Sequence, residues 1–301
     1  MSWELERITL WAIPIFVIAM LLEWLAVRRE QPRNYRAADT RANLILGFSF
    51  VFLQILAATT IFAIFSFLYQ YRIFTLPQTW SNLVTGGPLH IPTLLALVLL
   101  EDLCFYIFHR VSHTSRFYWA IHENHHSSEH YNFSVALRQP PLEALTAWIF
   151  WLPLPLLGFA PQDIMFQMAI NLFYQFWMHT KLTRSLSPLD YLFNTPSHHR
   201  VHHATNLSYL DKNYAGTFII WDRLFASFTP ETEPARYGIL HPIGTNNPFR
   251  IFLHDFKQLK QDMRSAPRLI DKLAYLIKPP GWRHDGTGMT VADMLAQEKN
   301  S

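Results

Sequence analysis

Charge is scarce in this sequence. Of its 301 residues only 16% are Asp, Glu, Lys or Arg, well below the roughly 25% usual for soluble domains. Half are hydrophobic and 15% aromatic. Cysteine is nearly absent. The single Cys104 excludes an intramolecular disulfide and any CxxC zinc site, and its apolar surroundings give it a packing role. Glycine numbers only 10, which favours helices over turn-rich sheets. The formal charge of +3 is too small to draw in nucleic acid. No internal repeat and no low-complexity segment is present. The length suits one large or two modest domains.

What the sequence does have is long apolar runs. Ile8–Val27 is long enough to cross a bilayer. The tail before it, Met1–Arg7, carries two glutamates and one arginine. It lacks the basic start and small-residue cleavage site of a secretory leader, so the run reads as a retained helix. Glu23 sits near one end, where snorkelling is open to it. Arginines 28, 29, 33, 36 and 41 follow, and the positive-inside rule places this loop in the cytoplasm. A second span covers about 42–68, longer than a bilayer needs, which calls for tilt or a break. After a loop through Gly86-Gly87-Pro88, a third span covers about 91–108 and carries Glu101 and Asp102. The apolar segments 142–159 and 164–177 form a helical hairpin that dips in and returns, its first arm distorted by Pro153 and Pro155. Counting from the arginine loop, stretches 109–138 and 179–223 face the cytoplasm. Residues 251–278 alternate apolar and charged positions at helical spacing before Pro279-Pro280-Gly281. They read as a helix packed on the core or as one lying on the membrane surface.

The two cytoplasmic stretches hold the dense histidines. His109-Arg-Val-Ser-His113 places two rings one helical turn apart. His122-Glu-Asn-His125-His126 and His199-Arg-Val-His202-His203 share a second spacing. There the i,i+3 pair lies on one face and the adjacent ring points about 100° away, toward a second metal. One HxxxH is commonplace, but three boxes at one membrane edge are hard to obtain by accident. His179 ends the hairpin between the second and third boxes and is a further candidate. His198 competes with His199, and the repeated spacing favours His199. His130, His90, His241, His254 and His284 read as loop or surface residues. Imidazole binds iron, zinc, copper and nickel alike, so the ligands alone do not choose the metal.

At these boxes the sequence resembles the fatty acid hydroxylase and sterol desaturase superfamily. His125–Gln139, Tyr174–His179, Asn194–His203 and Asp211–Asp222 look most like the ether-lipid branch, the alkylglycerol monooxygenases and their bacterial relatives. The likeness covers about residues 95–255. It implies two iron ions held by His109, His113, His122, His125, His126, His199, His202 and His203, with His179 joining them. It also implies dioxygen, a lipid substrate and a bacterial cell membrane. The reductant is external, an electron-donor protein or a pterin, tetrahydrobiopterin in the ether-lipid branch. That branch carries a glutamate directly after the first box, where this chain has Thr114, a departure that bears on pterin use and on ether cleavage.

The expected architecture is an all-α integral-membrane helical bundle with a cytoplasmic histidine-rich cap holding a two-metal site. Its parts are N-terminal membrane helices over 1–90, a catalytic domain over 91–255 and an amphipathic helix with its tail over 256–301. The expected activity is hydroxylation of a lipid C–H bond, including the carbon beside an ether oxygen. The alternatives are desaturation at the same site and a non-catalytic membrane metal-binding protein. An acid inside a span is costly and points to function, so Asp102 is expected to accept a hydrogen bond from a ligating histidine and fix its tautomer. Otherwise it pairs with Arg110, Arg138 or Arg200. Asn132, Tyr131, Asp211 and Asp222 stand beside the boxes as supports, and Tyr214 as a pocket residue.

Overall fold

Residues 37–69 contain no proline and a single glycine, so nothing in the sequence stops a helix once begun. The computed structural model describes residues 2–31 and 34–300, with side chains from residue 12 onward. Arg33 and the side chains of the acidic N-terminal tail, both used above, lie outside the described residues. Helix α1 spans Ser2–Val27. Helix α2, Ala37–Tyr69, runs unbroken for 33 residues, about 50 Å. Its one glycine, Gly47, sits where a Cβ would collide with the Leu137 carbonyl. Only a hydrogen there lets α2 press against the segment that follows the second histidine box.

Pro92 in the first turn and the His90 side chain, which accepts from Thr93 N at 3.3 Å, start helix α3, Ile91–Thr114. The helix does not stop where the apolar run does. It continues past Phe108 and takes the first box with it. Ser115 is extended, and helix α4, Arg116–His126, departs in a new direction with the second box. The hairpin's first arm is broken as its prolines demand, into short turns over Glu143–Thr146, Ala147–Trp151 and Pro153–Leu157. Gly158 makes the corner at φ +107°. The returning arm α5, Pro161–Phe176, has 16 residues, about 24 Å, short of the roughly 30 Å hydrocarbon core. Neither arm of the hairpin is an unbroken helix long enough to cross.

Helix α6, Pro196–His202, carries the third box. Helices α7, His254–Ser265, and α8, Leu269–Ile277, pack beside α4, and α9, Val291–Asn300, ends the chain. Among the described residues there is no strand beyond the isolated bridges Phe193–Phe218 and Ala204–Tyr237, so the chain is all-α.

One apolar core, with Phe65, Leu97, Phe108, Trp151, Leu154 and Ile164, joins α2, α3 and the hairpin. The outer face of α2 is as apolar as that core yet uncovered. Phe48, Ile55 and Leu56 are 74%, 68% and 61% exposed. Folded chains in water seldom leave so long an apolar surface bare. By length and composition α2 and α3 can both cross a membrane.

Glu23 departs from its expected place. It does not reach for the interface but is buried. It accepts from Tyr35 Oη at 2.5 Å, from Phe133 N at 2.8 Å and from Thr180 Oγ1. A carboxylate with three donors around it has no reason to leave. It ties α1 to the two segments that carry Tyr131 and His179.

Candidate metal centre

Three helices bring the boxes together. The last two turns of α3 present His109 and His113, α4 presents His122, His125 and His126, and α6 with the residue after it presents His199, His202 and His203. His179 enters from the end of the hairpin. All nine imidazoles are buried, and they sort into two groups. His109, His113, His122, His126 and His202 form one, and His125, His179, His199 and His203 form the other. Within each group one donor atom per ring lies within 4.8 Å of every other, so each could hold an ion.

The sorting differs from the spacing argument. In the second box the i,i+4 pair His122 and His126 shares a group, and His125 crosses to the other. In the third box His199 and His203 share a group, and His202 crosses. The i,i+3 pairs are split where the rings of α4 and α6 meet, His125 lying 4.6 Å from His203 and His126 4.7 Å from His202.

The backs of the rings explain which nitrogen faces inward. His109 Nδ1 bonds the Tyr214 carbonyl at 2.7 Å, His179 Nδ1 the Gln175 carbonyl at 2.9 Å, and His202 Nδ1 the Lys212 carbonyl at 3.0 Å. His125 Nδ1 bonds the Arg138 carbonyl at 3.3 Å and His122 Nδ1 the Glu143 carboxylate at 2.6 Å. A carbonyl can only accept, so the proton sits on Nδ1 and the Nε2 lone pair is left bare. Those bare nitrogens converge. Nε2–Nε2 distances are 3.1 Å for His109–His122, 3.2 Å for His122–His126, 3.3 Å for His125–His179, 3.0 Å for His179–His199 and 3.1 Å for His199–His203. His113 Nε2 and His202 Nε2 are buried with no hydrogen-bond partner. Burial also holds His125, His126, His199, His202 and His203 well below the usual imidazole range, and His179 at about 4. They are neutral, and in the rings whose Nδ1 is held from behind the Nε2 atom cannot donate.

The loop after α6 supplies the support. Tyr214 lays its ring against His109, His113 and His202, at centroid distances of 6.1, 5.3 and 6.1 Å. Asp222 holds that segment by accepting from Tyr214 N and Ala215 N, both at 2.8 Å, and from Ser227 Oγ at 2.7 Å. Asp211, in the left-handed region at φ 56°, stands 3.6 Å from His113 Nδ1, and burial pushes its carboxyl up to about 6.

Asp102 is placed otherwise than expected. It touches no imidazole and pairs with none of the three arginines. It accepts from Thr217 N at 2.6 Å, Phe218 N at 2.9 Å, Trp221 Nε1 at 3.0 Å and Asn171 Nδ2 at 3.2 Å. It thus grips the Tyr214 loop at Thr217 and Phe218, just after the residues that Asp222 holds. Gly216 makes this possible, since a Cβ there would stand 2.8 Å from Asp102 Oδ1 and 2.7 Å from Asn171 Oδ1. Asn132 is likewise a step removed. It accepts from Ser134 N at 2.9 Å to start the 133–137 turn and donates to the Asn34 carbonyl at 2.6 Å. Tyr131 stacks on His179 at 5.9 Å and its hydroxyl donates to the Met178 carbonyl. His198 stays outside both groups. Glu123 faces away and bonds His254 Nδ1 at 2.6 Å. Thr114 is exposed, its hydroxyl bonded to the Arg110 carbonyl.

Glu143 was missed. Its signal was a lone acid opening an apolar hairpin, the same signal that singled out Asp102.

The model of the fatty acid hydroxylase family matches residues 94–227, which includes every histidine of both groups. Human alkylglycerol monooxygenase is 37% identical over 282 residues, covering 90% of this chain and 59% of that protein. The alkylglycerol monooxygenase of Danio rerio is 45% identical over 181 residues, 60% of this chain and 40% of that one. The ornithine lipid hydroxylase of Rhizobium tropici is 30% identical over 165 residues, 50% of this chain and 46% of its own length. The chain thus spans about half the length of these relatives. No solved structure gives a significant match.

Proposed function

The chain belongs, through residues 94–227, to the fatty acid hydroxylase family, and on that premise we propose that it is a multi-pass membrane di-iron monooxygenase. It hydroxylates a lipid C–H bond with dioxygen, the favoured position being the carbon beside an ether oxygen. The observation that carries this reading is the convergence of buried Nε2 atoms in two groups, five of them left bare by a proton held on Nδ1. Two nitrogens bound side by side on one ion, each at about 2.1 Å, stand about 3.0 Å apart, and the neighbouring Nε2 atoms stand 3.0–3.3 Å apart. The donor set therefore fits two ions, one held by His109, His113, His122, His126 and His202, the other by His125, His179, His199 and His203. Iron bound there would supply the activation of dioxygen. One oxygen atom enters the C–H bond. The other leaves as water with two electrons and two protons from an external reductant, a pterin or an electron-donor protein. Where the carbon neighbours an ether oxygen, the product is a hemiacetal, which breaks to an aldehyde and an alcohol.

The chain's own groups orient and seclude. Tyr214 O, Gln175 O, Arg138 O, Lys212 O and Glu143 hold five rings from behind, which fixes both tautomer and aim. The Tyr214 ring covers one side and excludes water, which would otherwise quench a reactive oxidant. The likeness to alkylglycerol and ornithine lipid hydroxylases supports a lipid substrate. The centre is read as cytoplasmic because it shares an end of the molecule with the basic loop. Asn132 bonds the Asn34 carbonyl, and Asp39 lies 3.4 Å from Arg138, whose carbonyl holds His125.

The test is iron-loaded protein in lipid nanodiscs with tetrahydrobiopterin or a reduced ferredoxin, offered an alkylglycerol, its ester analogue and ornithine lipid under labelled dioxygen. Labelled oxygen in the product, lost in His125→Ala, is expected. A product lacking two hydrogens and carrying no label would make it a desaturase. No dioxygen uptake with either reductant would leave a metal-binding protein.

A further inference from the structure

Helix α8 is folded inside out for a protein in water. Leu269, Ile270, Leu273 and Ile277 form one stripe of the helix and are 71%, 65%, 48% and 72% exposed. Two of its polar residues, Asp271 and Tyr275, turn inward. Asp271 is buried and held by Arg268, whose Nε and Nη2 stand 2.7 and 2.8 Å from its carboxylate. Tyr275 is buried with its hydroxyl 2.9 Å from His284 Nδ1, and its ring packs on Trp282. A surface helix normally buries its apolar stripe and shows its polar one. Here the opposite arrangement is held in place by specific polar contacts.

The position of α8 says what covers the stripe. Ser115 Oγ donates to the Leu276 carbonyl at 2.9 Å, and Arg116 N to the Lys278 carbonyl at 2.9 Å. Residues 115 and 116 are the corner where α3, a helix able to cross the membrane, ends. The C-terminal end of α8 is thus tied to the end of α3, about 10 Å past the apolar run that can cross the bilayer. Exposed basic residues flank the stripe in sequence, Arg264 before it, Arg268 at its start and Lys278 at its end. Apolar side chains beside a row of cations match the boundary between acyl chains and anionic headgroups.

We propose that α8 is an interfacial anchor. Its Leu269–Ile270–Leu273–Ile277 stripe lies in the headgroup–acyl boundary of an anionic membrane, and its basic flanks meet the lipid phosphates. The anchor rests on the membrane reading of α3 and not on the reaction. Its failure would leave the oxygenase reading intact.

The test uses the full chain in nanodiscs of phosphatidylcholine with phosphatidylglycerol, one copy per disc. Bimane is attached at Leu273→Cys, Ile277→Cys or, as the solvent reference, Lys260→Cys. Labelled wild-type protein, with only buried Cys104, is the blank. All three positions are exposed, so the fold survives labelling. Several-fold stronger quenching by nitroxide-bearing phospholipid at 273 and 277 than at 260, with protection from aqueous iodide, is expected. That difference should shrink without phosphatidylglycerol or in high salt. Iodide reaching 273 and 277 as readily as 260 would overturn the anchor. So would protection that develops only when two copies share a disc, since the stripe would then be covered by a second copy of this chain.

Discussion

Glu143 Oε1 lies 2.6 Å from His122 Nδ1, and this is the only carboxylate within hydrogen-bond reach of an imidazole of the centre among the described residues. The other rings held from behind lean on neutral carbonyls at 2.7–3.3 Å. A charged acceptor makes its ring a stronger donor to a metal and locks its tautomer. Glu143→Ala is expected to lower metal affinity about 10–100-fold, with Glu143→Gln in between because an amide oxygen still accepts. Metal retained after dialysis against graded chelator measures it. Unchanged retention in both variants would remove Glu143 from the site.

The two groups should fail separately. His199→Ala and His203→Ala remove ligands from the four-histidine group, and His113→Ala and His126→Ala from the five-histidine group. Each change is expected to lower bound iron from about two to about one per chain, the four-histidine group losing its ion more completely because it has fewer donors to spare. Metal analysis with Mössbauer spectroscopy would show loss of one iron environment and survival of the other.

Asp102 is expected to matter for stability before it matters for chemistry. Asp102→Ala strands Thr217 N, Phe218 N and Trp221 Nε1. A buried donor left unpaired costs about 1–3 kcal/mol, so a loss of roughly 2 kcal/mol or more is expected in detergent denaturation. Gly216→Ala should mimic it by pushing on the same carboxylate. Both should broaden the environment of His109, whose back bond runs to this loop.

The contact of His254 with Glu123 sets a pH dependence. The hydrogen bond that His254 Nδ1 donates to Glu123 raises the imidazole above its ordinary value, and burial raises the Glu123 carboxyl. The stabilisation from His254 is full below about pH 6.5, its unfolded value, and drains away as pH climbs through the raised folded value. The upward shift of Glu123 has the same sign, since its buried ionisation costs stability as pH rises. Melting curves should show His254→Gln below the wild type near pH 6 and converging with it by about pH 9. A constant gap would refute the pairing.

Removal of metal is expected to lower the melting temperature and open the centre to solvent, because nine buried imidazoles lose their common partner. Hydrogen exchange at α4 and α6 before and after chelation, with recovery on adding ferrous iron, measures it.

The sequence disclosed the parts whose cause is local. Helical spacing within three boxes, the proline-broken hairpin and the apolar surface of α2 depend on neighbours a few residues away, and they appear as expected. The destinations of side chains were not legible. Asp102 meets backbone 115 residues further on, and no periodicity announces that. Glu23 lay near a span end and suggested snorkelling, yet donors from residues 35, 133 and 180 converge on it. Whether His125 joins His122 or His179 depends on how α4 crosses α6, which spacing on one helix does not contain.

His125 and His202 each occupy the middle of a box whose outer members serve the other group. This interleaving governs assembly. Neither group is complete until the ribosome has passed His203 and α6 has docked against α4. Both ions of the proposed centre would therefore enter late, once α6 is in place. The first ion to arrive would clamp the same two helices that the second requires, so each should raise the affinity for the other without being a condition for it.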